Sequence, residues 1–288
     1  MHRSYRWEIA FFAITIGWGA TFVTVKDAVA IAPPLLFMAV RFSIGAALLA
    51  AARPRDVFRL DRRQLGLAAL TGVFLFLGYA FQTAGVQYTT ASNAGFITGL
   101  FVVFVPVFGA IALRKLPSLA TLGGVGLATA GLFFLSRPTG GFPNKGDVMI
   151  LFTAASFAVQ ILLVGRYAAE IPAAGLAAVQ LLVAGVASAI GTLVFEPHTG
   201  LDSPTVWTAV AITVVAATTI PFWVQAAGQK HVPPTRAAII FTGEPVFAAL
   251  FGVWLQDDPV TGAGVLGAGL ILSGMLVAEI LAPEREAV

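Results

Sequence analysis

The chain has 288 residues, of which 58% are hydrophobic and only 11% are charged, and its formal net charge is +3. Soluble domains carry roughly a quarter charged residues, so this composition predicts an integral membrane protein. The absence of cysteine excludes a disulfide framework and any thiolate-ligated metal. The three histidines, His2, His198 and His231, lie outside the apolar segments, so we expect no metal site and no bound cofactor.

Ten apolar segments follow one another along the chain, each long enough to cross ~30 Å of hydrocarbon as a helix of about 20 residues. None shows the period-two alternation of a transmembrane β-strand. The segments are 7–25, 34–52, 65–86, 92–113, 119–136, 147–165, 173–195, 205–228, 235–256 and 260–281. The sequence therefore predicts an all-α integral membrane protein with ten transmembrane helices.

The placement of lysine and arginine predicts the orientation of these helices, because cytoplasmic loops are enriched in both residues. Of the 17 basic residues, Arg41 lies within a segment, and only Lys26, Arg137 and Lys145 fall in the outer loops of an N-in arrangement. The other 13 fall at the inner ends. We therefore expect both termini in the cytoplasm and a multi-pass protein of the bacterial cytoplasmic (inner) membrane.

An internal repeat divides the chain into a first half, 1–140, and a second half, 141–288. Residues of one half recur in the other at an offset of 143 in the third and fourth helices and of 139 before them. The matched pairs include Gln82 with Gln225, Gly85 with Gly228, Trp18 with Phe157, and Arg41 with Gln180. Five helices per half is an odd number, so the second half must enter the membrane in the opposite sense. The sequence thus predicts two inverted five-helix repeats.

Glycines recur at matched positions in the fifth and tenth helices. They are Gly124, Gly126 and Gly131 in the first half and Gly267, Gly269 and Gly274 in the second. Small residues at such spacing let helix backbones approach closely, so we interpret these glycines as packing residues. Pro106, Pro221 and Pro245 interrupt predicted helices and are candidate hinges, because proline removes a backbone hydrogen bond.

Short motifs in the first, second, fourth and ninth predicted helices carry a family resemblance. They are Gly17-Trp18-Gly19-Ala20-Thr21-Phe22, Pro34 followed by Arg41-Phe42, Tyr88 to Ala94, and Glu244-Pro245-Val246-Phe247. Together they resemble the EamA-type proteins of the drug/metabolite transporter superfamily, and most of all the bacterial aromatic amino acid exporters. The resemblance implies an exporter of amino acids or related metabolites with its cavity between the halves. Arg114-Lys115 and Asp257-Asp258 depart from the Gly-Glu that often ends the fourth and ninth helices of that family.

Two ionisable residues, Arg41 and Glu244, lie well within apolar segments. A charge at the bilayer centre costs about 2.5–3.5 kcal/mol even on the lenient insertion scale, so such a residue is a candidate for function. Glu244 is expected to bind substrate or carry a proton, and the alternative is a hydrogen bond to backbone freed by Pro245. Arg41 is a possible charge partner, and the alternatives are a structural contact or a side chain that reaches the interface.

Uncharged polar and aromatic residues complete the predicted site. A buried amide must be paired, so Gln82 and Gln225 either bind substrate or join neighbouring helices. Tyr79 lies one turn from Gln82, and Trp18 and Thr21 share a face of the first helix. The predicted substrate-binding set is Trp18, Thr21, Tyr79, Gln82, Asn93, Gln160, Trp223, Gln225 and Glu244, with Arg41 as a charge partner.

Three functions remain open on the sequence. The first is a secondary transporter that exports amino acids or related small metabolites through a central alternating-access cavity, since no Walker A phosphate loop is present. The second is efflux of organic cations or drugs, because a lone acid among aromatic residues suits a cation. The third, an intramembrane enzyme, would need a catalytic constellation, and no such motif is visible. The expected partners are a small-molecule substrate and the lipid bilayer, with no nucleic acid and no obligate protein partner.

Overall fold

The computed structural model of the chain describes residues 2–89, 91–114, 116–137, 144–196, 199–256 and 259–281. Within these ranges every regular element is a helix, so the predicted all-α class is confirmed. Each predicted apolar segment falls on one helix or on consecutive helices. Asp257 and Asp258, Lys115, and the residues from 138 to 143 lie outside the described ranges.

The described residues of the first half form seven helices. They are α1 (His2–Val29), α2 (Pro34–Ala52), α3 (Pro54–Phe58), α4 (Arg62–Gly85), α5 (Ala91–Gly99), α6 (Phe101–Leu113) and α7 (Leu119–Ser136). The second half contains α8 (Lys145–Tyr167), α9 (Ala173–Phe195), α10 (Pro204–Thr213), a π-helical segment (Val214–Thr219), α11 (Ile220–Gly228), α12 (Pro234–Phe241), α13 (Glu244–Gln256) and α14 (Gly262–Leu281).

Among the described residues, eight helical spans are long and apolar enough to cross a membrane. A ninth is added if the bent first helix, Tyr5–Thr21 with Val23–Val29, is counted as one span. The apolar stretch Gly262–Ala278 of the last helix is shorter than these spans. The protein is therefore a multi-pass membrane protein.

Local sequence sets where several of these helices begin. Asp61 accepts the Gln64 N–H at 2.8 Å while the Gln64 side chain accepts the Asp61 N–H at 3.2 Å. Asn144 and Asp147 form the same reciprocal capping box at the start of α8. Proline stands at the first position of four described helices, where its missing N–H costs nothing. These prolines are Pro34, Pro54, Pro204 and Pro234.

Helices α7 and α14, which occupy equivalent places in the two halves, pack closely in opposite directions. A Cβ added to Gly124 would lie 2.8 Å from the Gly274 carbonyl oxygen, and one added to Gly131 would lie 2.6 Å from that of Gly267. As the residue number rises along one helix it falls along the other, so the two helices are antiparallel. Their backbones touch because these four positions lack a side chain.

Two glycines of the matched set do not take part in this contact. A Cβ added to Gly126 or Gly269 would meet nothing within 4 Å. The predicted packing role is therefore wrong for this pair, which lies on the helix faces turned away from the partner.

Helices α2 and α9, the next equivalent pair, also pack antiparallel. A Cβ on Gly185 would lie 2.7 Å from the Ser43 hydroxyl, and one on Gly191 would lie 3.0 Å from Leu35 Cδ1. Equivalent helices that cross in opposite directions are what a two-fold axis perpendicular to them produces. The packing therefore supports an inverted relation between the halves.

Candidate functional site

A cavity of about 210 Å³ lies where helices of both halves meet. Helices α1, α2, α4, α5, α6 and α8, the π-helical segment, α11, α12 and α13 all contribute side chains to it. The predicted site residues that line it are Trp18, Thr21, Arg41, Tyr79, Gln82, Gln160, Gln225 and Glu244. The fold thus brings together side chains that are more than 200 residues apart in sequence.

The structure places two predicted site residues, Asn93 and Trp223, outside this cavity. Asn93 is buried, and its side-chain amide lies 3.4 Å from the Asp147 carboxylate. Trp223 is partly buried and packs against two apolar clusters, one that contains Phe222 and one that contains Val224. Each lies on a helix that reaches the cavity, but on a different face of it.

The cavity lining repeats itself between the halves. Twelve of the lining residues form six pairs related by the sequence offsets of 139 and 143. The pairs are Trp18 with Phe157, Thr21 with Gln160, Tyr79 with Phe222, Gln82 with Gln225, Thr98 with Phe241, and Phe101 with Glu244. A cavity lined by equivalent residues lies on the axis that relates the halves.

The sequence reasoning missed five of these lining residues. They are Thr98, Phe101, Phe157, Phe222 and Phe241. The repeat itself carried a signal for some of them, because Phe157 is the equivalent of Trp18 and Phe222 that of Tyr79. Without such a partner, nothing in the sequence indicates that an apolar residue in an apolar helix lines a cavity.

Arg41 and Trp18 converge on one backbone carbonyl in the π-helical segment. The Trp18 indole and the Arg41 Nη2 both donate to the Ala217 oxygen at 3.0 Å, and Arg41 Nε donates to Thr218 Oγ1 at 2.5 Å. In an α-helix the Ala217 oxygen would accept from the residue four positions on, which is Pro221 and has no N–H. The proline therefore frees the acceptor that fixes Arg41.

Glu244 is placed at the cavity by a break in the helix that carries it. Helix α12 ends at Phe241 and α13 begins at Glu244, with Thr242 and Gly243 forming the turn between them. The first half breaks at Leu100, which is the equivalent of Gly243. A carboxylate in the first turn of a helix is stabilised by the positive end of the helix dipole.

Arg41, Tyr79 and Glu244 lie close enough to interact electrostatically. Among the described residues that line the cavity, Arg41 and Glu244 are the ones that carry formal charge. The cavity therefore presents one cationic and one anionic group to its contents.

Three glutamines form a hydrogen-bonded row along one wall. Gln160 Nε2 donates to Gln180 Oε1 at 2.9 Å, and Gln225 Nε2 donates to Gln160 Oε1 at 3.2 Å. In the other half, Gln82 Nε2 donates to Thr98 Oγ1 at 3.3 Å. The amides thus join helices to one another, and Gln82, Gln160 and Gln225 also line the cavity, whereas Gln180 is fully buried behind them.

Aromatic rings form the apolar walls. Trp18 meets Phe241 edge to face with ring centroids 5.3 Å apart, and Tyr79 meets Phe157 in the same way at 5.2 Å. Edge-to-face contact is an arrangement that aromatic pairs prefer. The lining therefore combines an aromatic, apolar surface with a few polar groups, as small-molecule sites do.

The chain matches the EamA-like transporter family twice, over residues 5–137 and 144–279. An uncharacterised transporter of Archaeoglobus fulgidus is 33% identical over 250 residues, which cover 85% of this chain and 77% of the relative. The uncharacterised transporter YcxC of Bacillus subtilis is 30% identical over 151 residues, 49% of this chain and 47% of the relative.

A crystal structure described only as that of a protein matches with a TM-score of 0.84 at 22% identity, and covers 98% of this chain and 99% of that one. At this identity it shows the fold alone. The names of the two relatives state no substrate, so a likeness to aromatic amino acid exporters finds no support in them. The matches cover both halves of the sequence, and this chain belongs to the EamA-like transporter family.

Proposed function

We propose that the protein is a secondary transporter that exports amino acids or related small zwitterionic metabolites across the bacterial cytoplasmic membrane. The observation that carries the proposal is the pairing of Arg41 and Glu244 in a cavity otherwise lined by aromatic rings and amides. An amino acid carries a carboxylate and an ammonium next to a side chain. The two charges of the cavity match these two groups, and the rings match the side chain.

Arg41 keeps donors available for a substrate carboxylate. A guanidinium has five N–H donors, and the contacts to Thr218 and Ala217 use Nε and one N–H of Nη2. The remaining N–H groups can form the charge-assisted hydrogen bonds by which arginine binds a carboxylate. The contacts to the π-helical segment then act to orient the group.

Glu244 suits the substrate ammonium. Among the described residues, its carboxylate forms no hydrogen bond with the backbone around Pro245. The alternative role inferred from sequence, an acceptor for backbone freed by that proline, therefore gains no support from the geometry. A carboxylate held near the cavity without a backbone partner is available to a cationic group.

The proposed architecture has ten transmembrane helices in two inverted five-helix repeats, 1–140 and 141–288, with both termini in the cytoplasm. The antiparallel packing of equivalent helices and the position of the cavity between them support it. An inverted repeat gives the two halves interchangeable conformations. Exchange between these conformations opens a central cavity first to one side and then to the other.

Efflux of organic cations is the second candidate function. The observation that favours it is that Arg41 already has protein partners, which leaves Glu244 and the aromatic rings as the nearest contacts for a ligand. The two functions differ in one respect, because a cation without a carboxylate does not need Arg41.

Transport into liposomes separates the two functions. We expect purified protein to exchange a labelled neutral amino acid in counterflow, and we expect both Arg41→Gln and Glu244→Gln to reduce this exchange at least tenfold. Arg41→Gln places in the first half the residue that stands at the equivalent position of the second, Gln180. The matched control is Glu170→Gln, since Glu170 lies at the surface between Arg63 and Arg166. Movement of an organic cation that is unaffected by Arg41→Gln, without movement of any amino acid, would show that the amino acid proposal is wrong.

A further inference from the structure

Each end of the helix bundle holds a contact between an acidic residue near the start of one helix and a polar residue near the start of another. Arg236 in α12 donates to Glu8 in α1 at 3.1 Å. Asn93 in α5 donates to the carboxylate of Asp147 in α8 at 3.4 Å. All four side chains are largely buried, with Glu8 7% and Asp147 1% exposed.

The two contacts are equivalents of one another under the internal repeat. The offset of 139 places Glu8 on Asp147, and the offset of 143 places Asn93 on Arg236. The duplicated chain has therefore kept one contact twice, as an ion pair in one place and as a hydrogen bond to a carboxylate in the other.

The packing beside the two contacts repeats as well. A Cβ added to Gly85 would lie 2.7 Å from Ile150, and one added to Gly228 would lie 2.3 Å from Phe11. Phe11 is the equivalent of Ile150, and Gly85 that of Gly228. The two ends of the bundle therefore contain equivalent packing contacts as well as equivalent polar contacts.

The contacts lie beyond the two ends of the cavity. Glu8 precedes the lining residue Trp18 by ten positions, and Asp147 precedes Phe157 by the same number. At 1.5 Å per residue, each contact lies roughly 15 Å from the cavity along its helix. Because α1 and α8 are inverted equivalents, their starts face opposite sides of the membrane.

We propose that these contacts are the two gates of the transport pathway. The Glu8–Arg236 contact, the first gate, joins α1 to α12 and closes the cavity on the side where α1 begins. The Asp147–Asn93 contact, the second gate, joins α8 to α5 and closes it on the opposite side. Each opening of the cavity breaks one gate and keeps the other. The inference rests on the proposed transport function and adds residues that lie outside the substrate site.

The two gates differ in strength. The first joins two opposite charges, whereas the second joins a charge to a neutral amide. Both hydrogen bonds are charge-assisted, but only the first also gains the Coulombic attraction between two opposite charges, so the first gate favours closure of its own side. Asp147 also accepts from Thr89 and caps α8 with Asn144, and these contacts hold the acid in place whether or not the gate is closed.

A cysteine in the cavity reports which side is open, because the chain has no cysteine of its own. Val25→Cys places the thiol among the cavity-lining residues. Its labelling by a membrane-impermeant maleimide is measured from each side of oriented vesicles. We expect Glu8→Gln to raise labelling from the side where α1 begins by at least threefold and to lower labelling from the other side. Asp147→Asn keeps an oxygen for the helix cap and is expected to produce the opposite shift.

Variants that exchange the repeat-equivalent residues sharpen the test. Asn93→Arg makes the second gate an ion pair like the first. It should therefore shift labelling in the direction opposite to the shift that Asp147→Asn produces. This comparison tests the proposal on one gate alone, even where Glu8→Gln does not fold. Glu170→Gln, a surface acid, is the matched control and should change nothing. Equal shifts, shifts to the same side, or no shift in folded variants would overturn the proposal.

The labelling needs no substrate, so its outcome is independent of the substrate proposal. Opposite shifts in a protein that moves no amino acid would keep the gates and refute the amino acid function. Transport of amino acids with unshifted labelling would refute the gates alone.

Discussion

At the scale of single residues, the cavity is a symmetric frame with two asymmetric charges. Most of its lining residues have an equivalent that also lines it, but Arg41 stands opposite Gln180 and Glu244 opposite Phe101. Duplication supplied the frame, since residues that lie near the two-fold axis face their own equivalents across it. The charges arose where the halves differ, and these positions can discriminate between the two ends of a substrate.

Glu244→Gln tests whether Glu244 binds the substrate ammonium or carries a coupled proton. If its carboxylate binds the substrate ammonium, the neutral amide should weaken amino acid binding at least tenfold, which is about 1.4 kcal/mol. If it carries a coupled proton, downhill exchange should persist while the response to a pH gradient disappears. Counterflow in liposomes, with and without an imposed gradient, distinguishes the two. We expect the first result, and near wild-type uptake with an unchanged gradient response would remove Glu244 from the site.

Trp18 can be tested separately from its aromatic contacts. Trp18→Phe keeps a ring against Phe241 but removes the indole donor to the Ala217 oxygen. Arg41 still donates to that oxygen, so we expect a loss of about 0.5–1.5 kcal/mol in the free energy of unfolding and no loss of fold. Thermal unfolding in detergent measures the change. A variant as stable as the wild type would show that this hydrogen bond adds nothing.

At the scale of elements, the helices around the cavity are interrupted rather than continuous. Breaks at Leu100 and Gly243 occupy equivalent positions, and the π-helical segment lies against the cavity as well. Irregular backbone at membrane depth persists only where protein or a cavity surrounds it. The interruptions therefore mark the functional part of each helix.

Pro221→Ala should make the helical span Pro204–Gly228, which contains the π-helical segment, more regular. Alanine supplies at position 221 the backbone N–H that could donate to the Ala217 oxygen within the helix. Proline within a helix costs about 3 kcal/mol. We expect a higher melting temperature together with slower transport, because the regular helix competes with Arg41 for the same carbonyl. Pro204→Ala, at the first position of α10, is the matched control and should change neither property. Faster transport by Pro221→Ala would contradict this account of the segment.

Gly131→Ala should weaken the contact between α7 and α14. The added Cβ would lie 2.6 Å from the Gly267 carbonyl and 2.7 Å from the Ile271 backbone nitrogen, so the helices must separate. We expect a destabilisation of about 1–3 kcal/mol, as for other overpacked sites, measured by thermal unfolding. Gly126→Ala is the control in the same helix, since its Cβ meets nothing within 4 Å. Equal melting temperatures for the two variants would contradict the contact.

At the scale of the whole molecule, the proposed topology assigns each loop to one side of the membrane. Single cysteines report the assignment without interference, because the chain contains none. In intact cells we expect an impermeant maleimide to label Ser203→Cys, which precedes α10, and not Ser118→Cys, the cap of α7. Permeabilised cells, in which both should react, are the control. Labelling of Ser118→Cys in intact cells would reverse the orientation of every helix.

The sequence predicted most of the candidate site but not all of it. Eight of its ten predicted residues line the cavity, because a polar or charged side chain in an apolar helix is conspicuous. Asn93 lies at a helix start instead, and Trp223 lies among apolar side chains. Position within an apolar segment does not reveal which neighbour a side chain faces, so these two could not be separated from the rest.

The hinge positions show the same limit. Pro106 was a candidate from sequence, yet it lies inside α6 and the helix breaks at Leu100 instead. Pro245 is the second residue of α13, where a helix tolerates proline because that N–H has no helical partner. The break therefore precedes the proline, and the packing around the cavity decides where it falls.

The amino-acid sequence by itself determined the family, the all-α membrane class, the duplication and the approximate extent of most helices. It could do so because the bilayer demands long apolar runs with internally bonded backbone, and because a duplicated gene keeps matched residues at a fixed offset. Only the tertiary structure decided which helix faces meet, as the glycines show: Gly131 touches a neighbouring backbone and Gly126 touches nothing. Contacts between distant segments depend on the rotation of each helix about its axis, and a uniformly apolar helix carries little information about that rotation.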